Sequence, residues 1–113
     1  NLPYAHDLVN HWVSSDNESI RTTAYWLFAR LMIIHSVQIP DIDCTTLIRN
    51  AANDLSSSDF FLRQSAVNAL KYAGRLSSEL SREILEKVKI MADSGIPVLQ
   101  EVYSLLKFEF DNN

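Results

Sequence analysis

The chain has 113 residues, and the groups in it that could do chemistry are three histidines, one cysteine and a scatter of carboxylates. Their spacing narrows the chemistry. His6 and His11 stand five apart, so on a helix their side chains diverge by about 140° and cannot form the i, i+4 pair that holds zinc. His35 ends an apolar run and reads as a boundary or capping residue. Cys44 has no histidine or basic residue beside it and reads as a small buried filler. A single cysteine also excludes an internal disulfide framework and a four-cysteine zinc site. Asp41 and Asp43 look like paired carboxylates, but they precede a helix, where acidic groups favour the N-terminal dipole. No GxGxxG, P-loop, HExxH or GxSxG motif is present. The expectation is a protein that is not an enzyme and uses no cofactor or metal.

Two arginines carry more information. Arg21 and Arg63 each follow a turn that holds an aspartate, Asp16 or Asp59. Paired with those aspartates, in the same or the next unit, they form a structural ladder, since bidentate arginine–carboxylate contacts fix orientation. Unpaired, they would be a phosphate-binding pair.

The elements that position these groups follow from composition and punctuation. Apolar residues make up 47% and charged residues 21%, the balance of one globular domain with its own core. Gly and Pro together number 5, too few for a sandwich or barrel that turns every ten residues. The net charge of −4 argues against a general nucleic-acid binder. No apolar stretch reaches the roughly 20 residues that span a bilayer, and no signal peptide opens the chain. The lone thiol points to an intracellular setting, cytoplasm or nucleus. A start at Asn1 rather than Met leaves a processed chain or a piece of a longer one, and the expectation is a fragment of a larger scaffold.

Six helices are predicted. The first covers about residues 3–13 and the second 17–35, opened by a Ser15/Glu18 capping box. A loop over residues 36–41 contains Pro40, which discourages helix at Ile39. Asp43 caps a third helix over 44–55, and Ser56-Ser57-Ser58 turns into a fourth over 59–73, with Gly74 as a left-handed terminus. A fifth covers 79–92, and Pro97 starts a sixth that reaches residue 108 or 109.

The second, fourth and sixth helices resemble one another. Ile20-Arg21-Thr22-Thr23-Ala24, Leu62-Arg63-Gln64-Ser65-Ala66 and Val98-Leu99-Gln100-Glu101-Val102 align at offsets of 42 and 36. Leu62, Ala66, Ala69, Leu70 and Ala73 share one face of the fourth helix, and its alanines let a partner helix approach closely. One hairpin per period marks an α-solenoid: an all-α stack of three helical hairpins, with units at about 2–36, 41–74 and 77–110 in a single domain.

An acidic residue in the turn followed by an aliphatic-Arg-x-x-Ala run resembles the HEAT repeat, a family of HEAT/armadillo-like helical scaffolds. The match is best over residues 46–74, and the third unit departs, with Leu99 in place of the arginine and Val102 in place of the alanine. Tetratricopeptide motifs are missing, and the serine turn leaves no room for the third helix of an armadillo unit. A VHS or ENTH type of helical stack remains the alternative. The resemblance places the second helix of each hairpin on a concave side. Rungs of that side would be Thr22, Gln64 and Gln100; Trp26, Asn68 and Ser104; Ala29, Lys71 and Lys107; and Arg30, Tyr72 and Phe108, with Ile33 beside Trp26.

The second helix is apolar nearly all round. Ile20, Ala24, Leu27, Phe28, Leu31 and Ile34 are the expected core face, leaving Trp26 and Ile33 on one flank and Tyr25 and Met32 on another. Either its neighbours and the Ile39 loop enclose it, or a partner or a further repeat does. In the sixth helix Leu99, Tyr103, Leu106 and Phe110 run beside Val98, Val102 and Leu105, two stripes that suit docking of another repeat or a second copy. The expected function is binding of a protein partner, a peptide or helix, through the rung surface. Two alternatives stand beside it. One is a grip on nucleic acid or inositol phosphates by Arg21, Arg30, Arg63 and Lys71, and the other is self-association through the C-terminal helix.

Overall fold

A computed structural model describes residues 2–35 and 42–112. The described residues form six helices and no strand: α1 (Leu2–Trp12), α2 (Glu18–His35), α3 (Cys44–Asp54), α4 (Phe60–Gly74), α5 (Ser78–Ala92) and α6 (Pro97–Asp111). The expected loop at Pro40, the Ile39 cover, the role of Asp41 and the His35 side chain lie outside the described residues.

Local chemistry accounts for each start. The Asp43 carboxylate accepts from the Thr46 amide, and the Asp59 carboxylate accepts from the amides of Phe61 and Leu62. The Ser77 hydroxyl accepts from the Leu80 amide at the head of α5. For α2 the cap is Asn17, whose Oδ1 accepts from Ser19 and Ile20, and not the Ser15/Glu18 box. Ser15 supports it from behind, its hydroxyl accepting from the Asn17 amide. Pro97 stands in the first turn of α6, which has no side-chain cap. The chain reaches it through Gly95 at φ +88°, a conformation in which a Cβ is strained.

The three hairpins stack in a row. α1 lies on α2, α3 on α4 and α5 on α6, while α2 packs along α4, α4 reaches α6, and α3 touches α5. The molecule is therefore an all-α solenoid two helices thick, 42 × 31 × 19 Å. Central α4 buries Leu62, Ala66, Ala69, Leu70 and Ala73 completely, the face that the periodicity predicts. Against it pack Tyr25 and Phe28 of α2 and Leu47, Ile48 and Leu55 from the α3 side, each fully buried and worth roughly 1.5–3 kcal/mol for the larger aliphatic side chains.

Three expectations are corrected. In α2 the buried set is Ala24, Tyr25, Phe28, Ala29, Leu31 and Met32, while Ile20 and Ile34 are exposed. The helix is rolled toward α4, so the Tyr25/Met32 flank is the one enclosed. Gly74 is not left-handed. It closes α4, and a Cβ there would fall 2.2 Å from Cζ of Phe110, so the glycine makes room for that ring. The third correction concerns register. α4 starts at Phe60 and α6 at Pro97, an offset of 37 rather than 36. Leu62 therefore corresponds to buried Leu99, and Val98 is 38% exposed. One residue of slip turns a helix by about 100°, enough to move every assigned face.

The seams between hairpins differ. Hairpins 1 and 2 share polar ties: Arg21 and Tyr25 to Asp54, the Asp43 amide to Asn10 Oδ1 (2.8 Å), and Asn50 Nδ2 to the Val13 carbonyl (2.9 Å). Across the second seam an exposed ion pair links Arg75 to Glu109 at 3.1 Å, beside the ring of Phe110 on Gly74.

Candidate functional site

The turn edge holds Arg21 and Arg63, the two arginines that the sequence singles out. Both do the same thing locally: Arg21 Nη1 donates to the Ser15 carbonyl at 2.8 Å, and Arg63 Nη1 donates to the Ser57 carbonyl at 2.9 Å. Ser57 also supports Asp59 as Ser15 supports Asn17, its hydroxyl accepting from the Asp59 amide. The 42-residue repeat is thus reproduced bond by bond in the two turns.

The expected Asp16–Arg21 and Asp59–Arg63 pairs do not form. Asp59 is occupied as a cap and Asp16 is exposed. The carboxylate on Arg21 is Asp54, at the end of α3, held by Nε and Nη2 at 2.9 Å each. Asp54 also accepts from the Tyr25 hydroxyl at 2.7 Å. The Arg21–Asp54 bond and the carboxylate charge raise the guanidinium pKa, while burial and the Asp54 neighbour push the Tyr25 phenol far above its ordinary range. Arg63 meets no carboxylate among the described residues and lies over the ring of Phe60 at 5.8 Å. Arg21 is therefore committed to structure, and the four cations of the phosphate reading do not converge.

The second helices of the hairpins carry two grooves on one face. The α2–α4 groove, about 380 Å³, is lined by Trp26, Ala29, Arg30, Ile33, Ile34, Asn68 and Tyr72. Six of the predicted rung residues meet there: Trp26, Ala29, Arg30, Ile33, Asn68 and Tyr72. Trp26 is 46% exposed and Ile33 61%, so apolar surface is open to water at this point. Lys71 is not among the lining residues, but its Nζ lies 5.3 Å from the ring of Tyr72, which is, and the Arg75 guanidinium lies 4.9 Å from the same ring.

The second groove, about 240 Å³ between α4 and α6, holds Phe60, Arg63, Gln64, Val67, Val98, Glu101 and Leu105 among its walls. Of the residues predicted here, Gln64 belongs to it, and Gln100, Ser104 and Lys107 do not. They lie about 100° away on the outer flank of α6, where Lys107 pairs with Asp111. Glu101 and Leu105 take their places. Counting from the helix starts, Phe60 and Pro97, would have found them. Thr22 turns its hydroxyl to the Glu18 carbonyl, and Phe108 is exposed, and neither lines a groove. Ile34, expected in the core, is a wall of the first groove.

The remaining polar groups are dispersed. His6 is buried and His11 exposed. Cys44 is half-buried, and burial, with help from Asp43 and Glu83, raises its thiol pKa. Among the described residues no group of three or more His, Cys, Asp or Glu could hold a metal ion, and no helix is long and apolar enough to cross a membrane. No family model, curated protein or solved structure matches the chain.

Proposed function

We propose that the chain is a non-catalytic protein-interaction module that binds through the face formed by α2, α4 and α6, within a HEAT-type scaffold inside the cell. The observation that carries this reading is the α2–α4 groove, where Trp26, Ile33 and Tyr72 surround an open apolar floor with Asn68 and Arg30 at hand. An aromatic anchor beside aliphatic walls and one or two polar groups is the composition of a binding hot spot. The α4–α6 groove continues the same face, and neighbouring helices packed roughly 8–10 Å apart set the spacing between the two. A peptide or helix crossing the row would place one apolar side chain in each. The turn motif shared by Ser15/Arg21 and Ser57/Arg63 supports the repeat assignment.

Affinity purification tests the proposal. Proteins retained by the wild type should be lost with Trp26→Ala/Tyr72→Ala and kept with Ile90→Ala, which removes a 75%-exposed apolar residue from α5 in the other layer. Equal loss with both variants, or no loss with the first, refutes it. The self-association reading has less support, because Tyr103 and Phe110 are half-buried against the core and, apart from exposed Phe108, the outer flank of α6 is polar.

A further inference from the structure

We propose that the α2–α4 groove takes an acidic segment of a partner protein, with an apolar side chain seated among Trp26, Ile33 and Tyr72 and carboxylates set against Arg30 and Lys71. This rests on the interaction reading and adds the chemistry of the partner.

The argument begins with charge placement. The chain carries 14 acidic and 10 basic residues, a net charge of −4. Yet residues 19–35 of α2 and 60–74 of α4 contain no Asp or Glu; their charged side chains are Arg21, Arg30, Arg63 and Lys71. The two helices that build the groove are therefore purely cationic beyond Glu18, in an otherwise acidic molecule. Among the described residues no carboxylate lines the groove.

The four cations divide by their neighbours. Arg21 is neutralised by Asp54, and Arg63 is turned toward the Ser57 carbonyl and Phe60 at the far end of α4. Arg75, just past α4, rests on Tyr72 but is paired with Glu109. Arg30 is exposed within the groove, and Lys71 lies against the Tyr72 ring. Contact with the aromatic face holds the lysine beside the apolar floor. A partner that seats an apolar side chain there brings its neighbouring residues against these two charges. Carboxylates gain attraction and speed encounter, and lysines are repelled.

The test is selection of random 12-residue peptides displayed on phage against the folded domain. Wild type should enrich peptides that combine an apolar residue with Asp or Glu. Their binding should be lost on Trp26→Ala and on Ile33→Ser, two exposed positions whose variants are first checked for helix content by circular dichroism. Arg30→Glu/Lys71→Glu should weaken a selected acidic peptide by about tenfold at low salt, less at high salt, and in its own selection should enrich basic peptides. Groove-dependent peptides without acidic enrichment, indifferent to the charge reversal, would overturn this inference and leave the interaction reading standing. Absence of any peptide sensitive to Trp26→Ala and Ile33→Ser would overturn both.

Discussion

Replacing Asp54 by alanine should destabilise the fold more than removal of any of its helix caps. Asp54 is 7% exposed and accepts three bonds, two from Arg21 at 2.9 Å and one from the Tyr25 hydroxyl at 2.7 Å. The substitution leaves Arg21, whose side chain is 18% exposed, with the Ser15 carbonyl, and it strips the acceptor from a phenol in a residue with no exposed surface. Breaking a buried pair on one side costs about 3–5 kcal/mol, and an orphaned hydroxyl about 1–3 kcal/mol within that total. A domain of this length has a total stability on the order of 6–17 kcal/mol, so the variant forfeits a large share. Urea unfolding followed by circular dichroism measures the loss. Asp54→Asn keeps an acceptor oxygen and should fall in between. In a double-mutant cycle, Arg21→Ala and Asp54→Ala should show a coupling of about 2 kcal/mol or more. A loss below about 1 kcal/mol for Asp54→Ala, or simple additivity in the cycle, would refute the claim that this triad joins the first two hairpins.

Other consequences are open to the same assay. Gly74→Ala should cost about 1–3 kcal/mol although alanine favours helix, because its Cβ would meet the Phe110 ring at 2.2 Å, and Phe110→Leu in the same chain should restore part of the loss. Leu99→Ala should cost about 2–5 kcal/mol and Val98→Ala under about 1 kcal/mol; the opposite order would return the third unit to an offset of 36. Asp43→Ala should cost about 1 kcal/mol at pH 7 through the lost cap. The Thr46 hydroxyl and amide hold the Asp43 carboxyl below its ordinary range, so this contribution is complete above that range and fades as pH falls through it. Wild-type and Asp43→Ala stabilities should therefore converge as the solution is acidified below the ordinary carboxylate range, and a constant gap between them would contradict the assignment.

The helices were legible in the sequence because their punctuation is local: Asp43, Asp59 and Ser77 each cap the helix that starts at the next residue, and Pro97 opens α6 within its first turn. The face of α4 was legible because alanines and leucines at helical spacing leave one way to bury it. What lay beyond reach depended on distance in the chain. The partner of Arg21 is 33 residues away and is chosen by how hairpins stack, whereas Asp16 and Asp59 stood nearby and offered a false choice. The α6 rungs failed for a different reason. Its pattern has apolar residues on two flanks, and an offset of 36 keeps Lys107 off the Leu70 position, so the residue pattern favoured the wrong register and the helix start was needed to show 37. In α2, apolar almost all round, periodicity could not say which flank α4 would cover, and Tyr25 rather than Ile20 went inside.

The unlike seams bear on how the molecule comes apart. A buried carboxylate shared by an arginine and a tyrosine makes hairpins 1 and 2 melt together, since neither can leave without stranding a charge. Across its seam the third hairpin buries Ile84, Val88, Leu99 and Leu106 with the common core and packs the Phe110 ring on Gly74, but the polar tie there, Arg75 to Glu109, is already open to water. An apolar seam without a buried charge strands nothing when it opens, so amide protons of α5 and α6 are expected to exchange before those of α2 and α4. The wall that Val98 and Leu105 give to the α4–α6 groove would then open and close with that local unfolding, while the Trp26 groove stays whole.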